Sequence, residues 1–226
     1  MDTHSETGTD FVAATRVFYD AIAEDYFDRY RSGLAAQPLE RAVLTAYAEF
    51  VRGSADRGAV GGQVADLGCG PGWVTGFLDS LGLSVFGLDV SASMLAVARR
   101  EHPGIRFEQG SMLELDLADG TLAGVVSWYS SIHTPAGQLP ALFAEFRRVL
   151  APGGQLLLGF QAGDVHKHHD QPFGRPVSMT FQRRRPERIA ELLTEAGFTL
   201  TSQTVRAAYE EAGETSAHAF LMARRV

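Results

Sequence analysis

The stretch Val64-Ala65-Asp66-Leu67-Gly68-Cys69-Gly70-Pro71-Gly72-Trp73 constrains this chain more than any other. An apolar, strand-like run ends in an acid, and a glycine-dense turn follows. Beyond the turn, Trp73, Phe77, Leu78 and Leu81 recur at helical spacing. Glycines at 68, 70 and 72 permit positive φ and let a ligand approach the backbone with no Cβ in the way. A turn that opens a helix also presents free N–H groups and the positive end of the helix dipole. The pattern predicts a nucleotide-type pocket at the carboxyl end of a parallel strand.

Spacing narrows the ligand. A dinucleotide fingerprint wants a third glycine where Trp73 stands, and a P-loop wants a lysine that this turn lacks. A second strand pattern, Ser84 to Val90, carries Asp89 about 20 residues past the turn, where a carboxylate can accept both hydroxyls of a ribose. Ser91 fits the cap of the next helix better than Asp89 does. A third strand leads into Gln109-Gly110-Ser111-Met112, and a fourth runs through Val125-Val126-Ser127-Trp128-Tyr129 to His133. A helix bearing Leu139, Leu142, Phe143, Phe146 and Leu150 ends at Ala151-Pro152-Gly153-Gly154, before a strand from Gln155 to Phe160.

The string D-x-G-C-G-P-G resembles motif I of the class I S-adenosylmethionine-dependent methyltransferases, of the small-molecule type seen in ubiquinone and menaquinone biosynthesis. The L-x-P-G-G-x-L order is also similar to that family. So is Phe18-Tyr19-Asp20-Ala21-Ile22-Ala23-Glu24-Asp25-Tyr26, which matches a Y-D-x-x-A-x-x-Y signature. The resemblance implies an α/β, Rossmann-like fold with a seven-stranded, mostly parallel sheet and helices on both faces. It implies S-adenosylmethionine as cofactor and S-adenosylhomocysteine as product. Asp66, Gly68, Cys69, Gly70 and Gly72 would form the cofactor turn, Asp89 would hold the ribose, and Val90 and Met94 would flank the adenine. Gly110, Ser111 and Met112 would meet the adenine edge, with Ser111 where the family usually has an acid. Tyr19 and Tyr26 would approach the methionine end, although aromatics on the apolar face of a helix serve equally as core. Ser127 and Trp128 would lie beside the sulfonium, with Tyr129 and His133 in the reaction chamber.

The sulfonium is already a strong electrophile, so the protein's task is to hold a nucleophile in line and exclude water. His133 is the candidate base and Tyr129 the candidate orienting group. A structural role for His133 fits the sequence as well. His166-Lys167-His168-His169-Asp170 lies in what reads as a long loop over 161–177. His166, His168 and His169 are candidate substrate contacts. A metal site or a solvated loop also fits them, but adjacent histidines of an extended chain do not both face one centre, and no metal is assigned.

At 226 residues and 45% hydrophobic content, the chain can bury one core with a small addition. The expected organisation is a flexible tail at 1–10, a helical cap at 11–53, and a cofactor-binding core at 54–226 with an insertion near 161–185. In the insertion Val177 to Gln182 reads as a strand. A helix opened by Pro186 and ended by Gly197 follows, and the resemblance makes the last two strands an antiparallel hairpin.

The net charge of −7 argues against nucleic acid as partner. Arg183-Arg184-Arg185 reads as a solvated strand end, with an anionic substrate left open. No long apolar run predicts a membrane span. A polar start without signal-peptide order and a single cysteine, Cys69, suit a cytoplasmic enzyme, monomer or homodimer, acting on a small-molecule acceptor. The competing readings are a nicotinamide-dependent oxidoreductase and a non-catalytic cofactor-binding protein.

Overall fold

A computed structural model describes residues 10–55 and 62–226. The expected tail, apart from Asp10, lies outside the described residues, as does most of the glycine-rich linker between cap and sheet. In chain order the elements are α1 (Asp10–Tyr30), α2 (Pro38–Ala55), β1 (Val64–Leu67), α3 (Trp73–Ser80), β2 (Val85–Asp89), α4 (Ala92–Glu101), β3 (Arg106–Gln109) and β4 (Leu122–Trp128). Then come α5 (Leu139–Val149), β5 (Leu150–Gln161), β6 (Lys167–Asp170), β7 (Ser178–Phe181), α6 (Pro186–Glu195), β8 (Phe198–Arg206) and β9 (His218–Arg225).

Seven strands form one sheet in the order β3-β2-β1-β4-β5-β9-β8. The first five are parallel, and β9 runs antiparallel between β5 and β8. The strand order reverses at β1, which pairs with β2 on one side and β4 on the other. Loops leaving the carboxyl ends of those strands turn to opposite faces, and a crevice opens between them.

The strands read as continuous apolar runs because both faces of the sheet are covered. Ala65, Val125, Leu158 and Leu221 enter one core, with Leu142, Phe143 and Phe146 of α5 and Ile189 and Leu193 of α6. Their chain neighbours Val64, Val126, Leu157 and Phe220 enter the other, with Leu44 and Tyr47 of α2 and Leu78 of α3. Adjacent residues fall into different cores because side chains alternate along a strand.

Two local expectations are corrected. The buried stripe of α2 is Val43, Leu44, Tyr47, Ala48 and Val51, while Phe50, expected inside, is 40% exposed. Val43 and Tyr47 of the expected face Leu39, Val43, Tyr47 and Phe50 are buried, and Phe50 alone turns out to solvent at its edge. Residues 161–177 are not one long loop: β6 pairs with β7 as an antiparallel hairpin, with Lys167 opposite Phe181 and His169 opposite Met179. Its polar residues hid the alternation. The hairpin reaches α1, where Arg175 Nε donates to Asp25 Oδ2 at 2.8 Å and Phe18 meets Phe181 edge-on. Among the described residues no helix is long and apolar enough to cross a membrane.

Candidate active site

The turn after β1 adopts the conformations its glycines permit: φ is 75° at Gly68, 53° at Gly70 and 84° at Gly72. The N–H groups of Gly68 and Cys69 both donate to the Leu88 carbonyl, which ties the turn to β2. Gly70 N–H donates to Asp89 Oδ2 and Ser91 N–H to Asp89 Oδ1, each at 2.8 Å. Each carboxylate oxygen keeps a second lone pair, so the group still has two acceptor sites to offer. Burial raises the Asp89 pKa, opposed by these amide hydrogen bonds. Ser91 caps α4, its Oγ accepting from Met94 N–H at 3.1 Å. Asp66 is buried at the end of β1 and accepts from Thr75 Oγ1 at 2.6 Å, and burial lifts its pKa to about 7.

The turn opens into a cavity of about 710 Å³. Of the residues expected at the cofactor, Tyr19, Tyr26, Asp66, Gly68, Cys69, Gly70, Asp89, Val90, Met94, Gly110, Ser111, Met112 and Trp128 line it. Two do not. A Cβ on Gly72 would press on His102, Phe107 and Ala98, so this glycine serves close packing of the α3 start. Ser127 is fully buried behind the wall, where its Oγ meets Ser130 Oγ at 2.8 Å and accepts from Ser131 N–H. It orders the loop after β4. Cys69 packs with Leu95, Ala98 and Phe107, and burial raises its thiol pKa. Ser111 Oγ accepts from Leu113 N–H at 3.3 Å, which leaves one lone pair toward the cavity.

Helix α1 covers this space. Asp20 Oδ1 accepts from Ser91 Oγ at 2.6 Å and Ser93 N–H at 3.0 Å, placing a negative charge at the start of α4. Glu24 pairs with Arg100 at 2.7 Å. Tyr26 stacks on Trp73, ring centroids 5.8 Å apart, so the residue at the third-glycine position supports the lid. Tyr19 reaches the far wall, where its hydroxyl lies 2.9 Å from His133 Nε2.

At the other end Tyr129 and His133 line the cavity, and Tyr129 adopts a left-handed φ of 55° as the chain leaves β4. Its hydroxyl sits 2.5 Å from His218 Nδ1, and His218 Nε2 lies 3.6 Å from Glu214. His218 and Glu214 were not found from the sequence. They stand about the β8–β9 connection, in no local motif, and reach Tyr129 only because β9 pairs beside β5. Burial lowers the His218 pKa to about 4, against the raising effect of Glu214. Burial, aided by Arg184, drives that of His133 to about 3. Burial raises those of Tyr19 and Tyr129. All four groups are neutral near pH 7.

The hairpin separates the three histidines expected at the substrate. His169 lines the cavity, its ring 4.5 Å from that of Phe181. His168 is outside it, bonded to Thr180 Oγ1 at 3.0 Å, and His166 Nδ1 accepts from Arg183 N–H. Strand alternation brings Lys167 to the cavity with His169, a residue passed over in the sequence. Among the described residues no group of three or more His, Cys, Asp or Glu side chains is placed to hold a metal ion.

The Methyltransferase domain family (Methyltransf_25) matches residues 64–154, from β1 to the turn inside β5. An uncharacterized methyltransferase of Synechocystis is 31% identical over 150 residues, covering 62% of this chain and 68% of that protein. The malonyl-[acyl-carrier protein] O-methyltransferase of Pectobacterium atrosepticum is 34% identical over 136 residues, covering 56% and 53%. The chain thus spans about half the length of such curated O-methyltransferases. The fold matches that of Burkholderia thailandensis 1,6-didemethyltoxoflavin-N1-methyltransferase with a TM-score of 0.71 and 18% identity, covering all of this chain and 93% of that one. The chain belongs to the class I S-adenosylmethionine-dependent methyltransferase family.

Proposed function

We propose that this protein transfers the methyl group of S-adenosylmethionine to an oxygen, nitrogen or carbon nucleophile of a small-molecule acceptor. The observation that carries the reading is the Asp89 carboxylate, fastened to Gly70 N–H and facing the cavity with free acceptor sites. The residues fit the cofactor. An added Cβ on Gly70 would meet nothing within 4 Å, so the turn is open on its ligand side. In this reading Asp89 takes the ribose hydroxyls, Val90, Met94, Ser111 and Met112 surround the base, and Asp66, Tyr19 and Tyr26 face the methionine part. When bound, the cofactor supplies a methyl group on a positive sulfur. The chain's own residues orient the acceptor and keep water out, with α1 and the β6–β7 hairpin as roof.

His133 and Tyr129 are proposed to contact the acceptor. With its pKa near 3 and its Nε2 engaged by the Tyr19 hydroxyl, His133 does not store a proton at neutral pH, so it holds Tyr19 and presents its ring to the acceptor rather than acting as a base. The relatives named above act on malonyl-[acyl-carrier protein] and 1,6-didemethyltoxoflavin, which supports a small or carrier-borne acceptor group without selecting one. A monomeric or homodimeric cytoplasmic enzyme completes the proposal.

Calorimetric titration with S-adenosylmethionine, S-adenosylhomocysteine and NADH tests it. The two adenosyl ligands should bind and NADH should not, and Asp89→Ala should weaken binding by about 1–3 kcal/mol. Unchanged affinity in that variant overturns the ribose assignment. Binding without turnover on any acceptor would favour the non-catalytic alternative.

A further inference from the structure

Arg183, Arg184 and Arg185 do not share one solvated face. Arg185 turns outward and pairs with Asp164 through Nη2 and Oδ2 at 2.7 Å. Arg183 lines the cavity, and its Nη2 donates to Thr215 Oγ1 at 2.6 Å. Arg184 points inward. It is 8% exposed, its Nη2 donates to the Thr134 carbonyl, and its buried Nε has no hydrogen-bond partner among the described residues.

Neither Arg183 nor Arg184 lies within ion-pair distance of a carboxylate among the described residues, and the same holds for Lys167. This is unusual for Arg184, because a buried charge is normally paired. The carboxylates nearby compensate only in part, and none of them pairs with these three cations. Glu214 is held by Arg206 through two bonds of 2.6 and 2.8 Å, and Arg206 also binds the buried Glu40. Glu211 is exposed at the cavity mouth. Lys167, Arg183, Arg184 and Arg206 against Glu40, Glu211 and Glu214 leave this end with a small positive excess in a protein whose net charge is −7. Burial alone pushes the Arg184 pKa down to about 10, the direction expected of a cation lacking its counter-charge.

We propose that the acceptor bears an oxyanion, a carboxylate or a phosphate, which Arg183 and Lys167 bind directly while Arg184 supplies positive potential behind the wall. A guanidinium fork suits either group, and Lys167 adds a point charge from the facing strand. Phe181 and Trp128 line the same cavity and accommodate an apolar body attached to that group. Arg184 acts through the field and is a positioning residue. The inference rests on the methyltransferase reading of this cavity.

The test uses the full chain saturated with S-adenosylhomocysteine and three probes of similar size: benzoate, phenyl phosphate and benzamide. At least one anion should bind tenfold or more tightly than benzamide, and whichever binds tighter identifies the oxyanion. Lys167→Gln with Arg183→Gln should abolish the preference while S-adenosylhomocysteine affinity, which reports folding, stays within twofold. Lys167→Arg should retain the preference. Equal binding of all three probes, or none by any, overturns the inference, as does a preference that survives in the double variant. Anion preference in a protein that does not bind S-adenosylhomocysteine would instead overturn the methyltransferase reading and leave the oxyanion site standing.

Discussion

The hydroxyl of Tyr19 lies 2.9 Å from Nε2 of His133, a hydrogen bond between residues 114 apart in the chain. It fastens the covering helix α1 to the loop after β4, across the mouth of the candidate site. His133 Nδ1 is buried and has no partner among the described residues, so Nε2 is the ring's one satisfied polar atom. Tyr19→Phe should then cost about 1–3 kcal/mol, because it leaves a buried imidazole with both nitrogens unpaired. Adding His133→Leu should recover much of that loss, since removing both partners is nearly neutral. Urea unfolding of the two single variants and the double variant measures the coupling. Additive losses would mean that the bond contributes nothing.

Glycines 68 and 70 carry different constraints. A Cβ at Gly68 would overlap the Ser130 side chain, and φ is 75° there. At Gly70 the space is open and only the left-handed backbone opposes a side chain. Gly70→Ala should lose about 1–2 kcal/mol of stability, and Gly68→Ala about 1–3 kcal/mol more for the overlap. The Gly70 methyl stands on the ligand side of the turn, so it should weaken S-adenosylhomocysteine binding at least tenfold (about 1.4 kcal/mol). Denaturation and calorimetry on the two variants separate these effects.

The side chains of Arg206 and Glu40 are 5% and 0% exposed and pair at 2.6 Å. Arg206→Met strands Glu40 in the interior and should cost about 3–5 kcal/mol. Arg206→Met with Glu40→Leu should regain a large part of this, because the desolvated carboxylate is then gone. Equal stabilities of the single and double variants would show that Glu40 does not depend on the guanidinium.

Asp66 gives the ligand-free protein a specific pH signature. Burial raises its pKa to about 7, above an unfolded value of ~3.9. Between those values the folded chain retains a proton that the unfolded chain has released. The Asp66 contribution is therefore complete below about pH 4, is lost as the pH rises toward about 7, and is constant above. His133, with its pKa lowered to about 3, acts in the opposite sense and loses its contribution as the pH falls below about 6.5. A variant comparison is needed to isolate either group. Asp66→Asn should gain on the parent by about 1.4 kcal/mol per pH unit or less across that window. Parallel curves would place Asp66 at its ordinary pKa.

The glycine turn, Asp89 and the Ser91 cap were legible because each depends on a few consecutive residues whose backbone demands are local. Positive φ needs glycine, and a helix start needs an oxygen beside free N–H groups. The hairpin around His169 was not legible, because its alternation is written in polar side chains that leave no apolar stripe. The exposure of Phe50 on α2 was not legible either. Phe50 is apolar enough to be inside, and only the position of the sheet beneath the helix leaves it out.

The sequence by itself determined the sheet-and-helix alternation, the cofactor-type turn and the acid poised beside it. All of these follow from short-range backbone geometry and from strands buried on both faces. Tertiary structure alone decided which of three neighbouring arginines enters the cavity, and that His218 rather than a nearer residue meets Tyr129. It also decided that Tyr19 closes on His133. Those contacts join side chains far apart in the chain, and their pairing is set by strand order and by the side to which each residue alternates, which no local run of residues encodes.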